Sequence, residues 1–257
     1  MHAPPPGHPL PDIAIDRGTL RFGAVAAVLG VLVEFGAGAL HPGHVQPNDS
    51  VAVFREYAAS SSWTAVHIGQ FIGGLLVALA LIVLAASIPK TGPSGMFAFV
   101  GGIAAILVAA VFAVQMAVDG VALKATIDAW LSAALGDRAA AFFVAESVRD
   151  VEKGLSGFFH LLNGATLLAL GAAVTAGRAY PRPLGWFGMA AGFGFIAGGV
   201  ATAHTGFSPA AGEILSPTAL VGLVFLVGMA VPMWRRTDEP ATRSVRVDAL
   251  VPGGNAS

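Results

Sequence analysis

Apolar residues come in long uninterrupted runs, and the polar residues between them are gathered into stretches rich in Pro, Gly and Arg. The cleanest run is 63–88, which carries no charged side chain. At about 1.5 Å per residue, a helix of that length exceeds the ~30 Å hydrocarbon core of a bilayer. Runs of the same kind lie at 20–40, 95–118, 155–176, 184–203 and 217–234. Pro42 stops the first, and the Pro89-Lys90-Thr91-Gly92-Pro93 stretch parts the second from the third. The pattern predicts an all-α integral membrane bundle of six transmembrane helices, spans 1 to 6, within 17–236.

The intervening segments differ in kind. Residues 41–62 read as a polar loop. Residues 120–154 are too polar to span and show two amphipathic helices between spans 3 and 4. Leu123, Ile127, Trp130 and Leu131 form one stripe, Val144, Val148, Val151 and Leu155 the other, with Gly136-Asp137 between them. The Pro-rich segment 1–16 and the segment 237–257 read as disordered tails. Ala37-Gly38-Ala39 has the form of a signal-peptide cleavage site, but the apolar run before it is too long and contains Glu34. Trp63, Trp186 and Trp234 fall at span ends, where an indole straddles the interface. Gly69-x-x-x-Gly73, Gly188-x-x-x-Gly192 and Gly194-x-x-x-Gly198 predict close helix packing.

Composition sharpens this picture. The chain is 55% hydrophobic and 11% charged, against about a quarter charged in a soluble domain. Its net charge of −1 gives no basis for a nucleic-acid partner, so the bilayer is the expected one. The absence of cysteine excludes disulfides, Cys-ligated clusters and thiol chemistry. No phosphate-binding loop or serine-hydrolase elbow is present. Basic residues set the orientation. With span 1 entering from the cytoplasm, Arg17, Arg21, Lys90, Arg178, Arg182, Arg235, Arg236, Arg243 and Arg246 lie inside. Arg55, Lys124, Arg138, Arg149 and Lys153 then lie outside. This predicts a multi-pass protein of a bacterial inner membrane with both termini cytoplasmic, alone, as a homo-oligomer or with a membrane partner subunit.

On that topology the polar side chains of the spans gather near the exterior. Glu34 lies about two-thirds of the way out along span 1, with His41 and His44 at its end. His67-x-x-Gln70 on span 2 is matched in depth by His160-x-x-Asn163 on span 4. Gln115 and Asp119 share a face of span 3, and His204 ends span 5. The expectation is one outward-facing polar pocket.

Its chemistry admits three readings. His67 and His160, on spans running the same way, supply a set of axial ligands for one heme b, with Gln70 and Asn163 orienting the imidazoles. This layout resembles six-helix b-type cytochromes in that one respect, though spans 3 and 5 lack a matching His pair. Alternatively, Glu34, Asp119 or His204 join the two His residues around a divalent metal ion such as zinc. His41-Pro42-Gly43-His44 is a further turn where a surface metal is conceivable. A heme or metal in a redox role is the leading expectation. A small-solute or proton-coupled transporter using Glu34 follows, then a structural or sensory subunit without catalysis.

Overall fold

A computed structural model describes residues 15–236, and among these all regular structure is helical. In chain order the helices are α1 (Arg17–Ala39), α2 (Ser50–Ala59), α3 (Trp63–Ser87), α4 (Gly92–Ala117), α5 (Lys124–Ser132), α6 (Arg138–Ala176), α7 (Arg182–Thr205) and α8 (Pro209–Arg235). A π-helical segment, Val118–Leu123, joins α4 to α5. Apart from Ile15 and Asp16, the tails expected at 1–16 and 237–257 lie outside the described residues.

Six helices are long and apolar enough to cross a membrane, and they contain the six expected spans. Large apolar side chains such as Leu32, Phe99, Ile106, Phe158 and Phe193 point out of the bundle. Such an outer surface suits lipid, which carries no penalty for exposed Leu or Phe.

Three boundaries differ from expectation. The segment 41–62 is not simply a loop. It contains α2, whose Asp49 side chain caps the amide of Ala52 and whose Val53, Phe54 and Tyr57 are buried. Residues 120–154 do not form separate surface helices. They lengthen the flanking spans, so that Gly92–Ser132 runs as one helical stretch of 41 residues. Helix α6 continues unbroken through Gly154 and Gly157 for 39 residues, about 58 Å and roughly twice a hydrocarbon core. Finally, α8 starts at Pro209, with Ser208 as its cap, and carries Pro217 in its interior.

The expected stripe on the leading part of α6 is also rotated. Val144 and Val151 are more than half exposed, whereas Ala145, Arg149, Glu152 and Ser156 are buried. A helix face is chosen by what it packs against, and here Ala145 enters an aromatic core while Arg149 lies over the Tyr57 and Phe207 rings and pairs with Glu152. The buried Phe54, Tyr57, Trp63, Leu123, Ile127 and Trp130 form a small core beneath α2, α5 and the start of α6. This is the cap end of the molecule. At the opposite end, Ser87 meets the Tyr180 hydroxyl at 2.5 Å, and Arg236 donates to the Ser87 carbonyl.

Helices α6 and α7 make the closest crossing. Gly157, Gly164 and Gly171 face Gly199, Gly192 and Gly185 in antiparallel register. A Cβ at Gly164 would lie 2.6 Å from the Gly192 carbonyl oxygen. Along this crossing the spacing is seven residues, while the expected Gly69-x-x-x-Gly73 motif brings α3 against Ala37 and Glu34 of α1. A seven-residue repeat keeps one face toward a neighbour along a whole helix.

Candidate metal centre and interhelical cavity

At the cap end, side chains from three elements converge. His67 sits one turn inside α3 and is 2% exposed. Its Nδ1 lies 2.8 Å from the Trp63 carbonyl. A ring nitrogen facing a carbonyl oxygen must carry the proton, so Nε2 is left with its lone pair. That Nε2 is 3.0 Å from Asp119 Oδ2, yet it is not satisfied as a hydrogen bond. The separation suits one and the alignment does not. Asp119 Oδ1 is likewise buried without a partner.

His41, just beyond α1, completes the set. Its Nδ1 approaches the Pro42 carbonyl at 2.6 Å, which again frees Nε2. Its ring packs on Trp63 and His67, with centroids 4.9 and 5.2 Å away. One ligating atom each from His41, His67 and Asp119 fits within 4.8 Å of the others. Ligands on one ion with bonds of about 2.1 Å sit roughly 3.4 Å apart, so the set must draw together on binding an ion. Burial pushes the His41 imidazole below its ordinary pKa, while the Asp119 charge opposes that. A neutral ring is the form that ligates metals.

The π-helical segment positions Asp119. Widening the helix frees backbone carbonyls, and α3 caps them: Trp63 Nε1 donates to the Asp119 carbonyl at 3.0 Å and Thr64 Oγ1 to that of Gly120 at 3.1 Å. Trp63 is thus a fully buried anchor, 1% exposed, and not an interfacial residue. Gly120 is required by the close approach, because a Cβ there would lie 2.5 Å from His67 Cβ.

Arg149 and Glu152 surround this cluster. They pair at 2.6 Å, with both side chains 4% exposed. The guanidinium also lies over the rings of Tyr57 and Phe207. Glu152 is near enough to Asp119 and His67 for their charges to act on it. Two buried carboxylates thus face one guanidinium, leaving a charge that a proton on His67 or a cation would balance. Burial pushes the neighbouring Tyr57 phenol up to about 12.

The other expected site residues lie elsewhere. Glu34, Gln70, His160 and Asn163 line the polar end of a partly open cavity of about 510 Å³ between α1, α3, α4, α6, α7 and α8. Its remaining walls are apolar or aromatic. Glu34 Oε2, Gln70 Oε1 and His160 Nδ1 are buried without hydrogen-bond partners. His67 does not line this cavity. The expected single pocket is therefore two sites, with His67 and Asp119 in one, His160 and Glu34 in the other. His67 lies three residues before Gln70, so the metal cluster sits about one helical turn outside the cavity's polar end.

His204 is exposed, away from both sites. His44 turns outward, and its backbone and ring nitrogens meet Glu56 at 2.9 and 3.0 Å. The pair around Pro42-Gly43 therefore separates, one His to each environment. Partial burial raises the Glu56 pKa, but the bonds from His44 outweigh it and hold the carboxyl below its ordinary value.

Arg149 and Glu152 were not among the expected site residues, and His41 was expected only in a surface site with His44, not beside His67 and Asp119. The Arg149-x-x-Glu152 spacing was a signal, since oppositely charged residues three apart share a helix face. It was hidden among Glu146, Asp150 and Lys153, of which Asp150 and Lys153 form an exposed pair. Comparison with known proteins adds nothing to these sites: no family model, no curated protein and no solved structure matches the chain.

Proposed function

We propose that this is a membrane metalloprotein whose centre is formed by His41, His67 and Asp119. The observation that carries the reading is the orientation of the donors. Both imidazoles have Nδ1 engaged by a backbone carbonyl, and His67 Nε2 and an Asp119 oxygen lie 3.0 Å apart without bonding to each other. Outer partners of this kind fix the tautomer and aim of metal-ligating histidines.

Two imidazoles and one carboxylate suit zinc or iron(II), and three protein ligands leave room for water or substrate. Such a centre activates a bound water or polarises a substrate oxygen. By the distribution of basic residues it opens toward the cell exterior. A heme between His67 and His160 is disfavoured, because His67 Nε2 faces Asp119 and His67 does not line the cavity that holds His160.

The test is titration of purified, chelator-stripped protein with zinc and with iron(II) by calorimetry. One saturable site per chain, lost in Asp119→Asn and in His67→Ala, is the expected result. Wild-type protein that takes up neither ion would leave His67 and Asp119 as a simple buried ion pair and end the reading.

A further inference from the structure

We propose that the interhelical cavity binds a lipophilic cation, an ammonium or phosphonium group on an apolar body, with Glu34 as its counter-ion. The site is separate from the metal cluster and rests on different residues.

The argument begins with Glu34, whose Oε2 is buried without a partner at the polar end of the cavity. No Lys or Arg lines the cavity. A carboxyl in such surroundings is either neutral or matched by a positive charge, and the one titratable base beside it in the lining is His160. Helix α1 is pinned here, since a Cβ at Gly73 would lie 2.6 Å from the Glu34 backbone nitrogen. The carboxyl therefore projects from a fixed backbone.

The walls select the sign of the guest. Phe35, Phe112, Phe159 and Phe195 line the cavity, and ring faces attract cations and repel anions. Phe112 and Phe159 stack at 4.8 Å, and His160 stacks on Phe195 at 5.8 Å, so these rings are held in place. Gln70 Oε1 adds a second unpartnered acceptor, suited to an ammonium N–H. An anionic head such as a fatty-acid carboxylate would meet the Glu34 carboxyl at the polar end. Beyond the polar end the walls are aliphatic, and a cavity near 510 Å³ is within the usual range for a small organic ligand.

The test uses the full chain in nanodiscs of phosphatidylcholine and tritiated tetraphenylphosphonium as probe. Saturable binding is expected, displaced by dodecylammonium but not by equal concentrations of dodecanol or dodecanoate. Glu34→Gln should weaken it about tenfold or more, with Glu34→Asp nearer wild type. Binding should survive EDTA, which strips the metal centre and leaves the cavity intact. The proposal is overturned if wild type shows no saturable binding or if Glu34→Gln binds as well as wild type. It is equally overturned if dodecanol competes as strongly as dodecylammonium, or if EDTA abolishes binding. Failure here leaves the zinc and iron titrations untouched, so the two ideas stand or fall separately.

Discussion

Gly120→Ala separates a metal-site role for His67 from a purely structural one. The new Cβ would sit 2.5 Å from His67 Cβ, where ordinary contact begins near 3.4 Å. The π-helical segment and α3 must therefore part by about 0.9 Å, against a tolerance of about 0.2 Å in metal–ligand distances. In stability the effects nearly offset. Overpacking costs about 1–3 kcal/mol, and replacing Gly by Ala within a helix returns about 1 kcal/mol. The variant should thus unfold within about 2 kcal/mol of wild type yet bind zinc about a hundredfold or more weakly. Gly154→Ala is the control, since a Cβ there meets nothing within 4 Å. It should gain up to about 1 kcal/mol from helix propensity and keep its metal. Calorimetric zinc titration and thermal unfolding in the same detergent give both numbers. A Gly120→Ala protein with undiminished zinc affinity would refute the reasoning.

Other outcomes follow from the same coordinates. Arg149→Met leaves Glu152 buried and unpaired, at a cost of about 3–5 kcal/mol, and adding Glu152→Gln should recover most of it; equal stability of the two variants in denaturant titration would contradict this. Tyr57 should ionise late, near 12, in an ultraviolet absorbance titration, and Tyr57→Phe should remove that step. Because its folded-state pKa lies above the unfolded value of about 10, the protein binds the proton more tightly when folded. Stability is then full below pH about 10 and falls by about 2–3 kcal/mol as pH rises toward 12; a flat stability profile over that window would argue against burial of the phenol. Gly164→Val drives a branched side chain into the Gly192 carbonyl and should cost more than about 3 kcal/mol, seen as loss of the monodisperse species on size exclusion. A well-behaved variant would mean that α6 and α7 do not cross as described.

The six long helices were legible because lipid-facing and core-facing positions are both apolar, so length and the lack of charge suffice to find them. The gathering of polar residues toward one end was legible for the same reason, as Glu34, Gln70, His160 and Asn163 stand out on apolar rods. Their partition into two sites was not. It depends on helix rotation, which hydropathy does not record when every face is greasy. Apolar periodicity even misled on α6, where Val144 and Val151 point outward and Arg149 and Glu152 point in. His41 was noticed as a possible ligand but assigned the wrong partner, because it follows a helix end, where no period fixes its direction. Helix α2 escaped because its buried Val53, Phe54 and Tyr57 alternate with Arg55 and Glu56 inside a polar stretch. The glycine ladder escaped because its seven-residue spacing is diluted by the chain's many other glycines.

The central claim is that His41, His67 and Asp119 are ligands to one metal ion. X-ray absorption at the metal edge of untagged, zinc-loaded protein tests it most directly. The account expects a first shell of imidazole nitrogen and carboxylate oxygen near 2.0–2.2 Å, with the nitrogen contribution halved in His41→Ala. A spectrum showing only loosely bound, fully hydrated zinc, unchanged by that substitution, would contradict it.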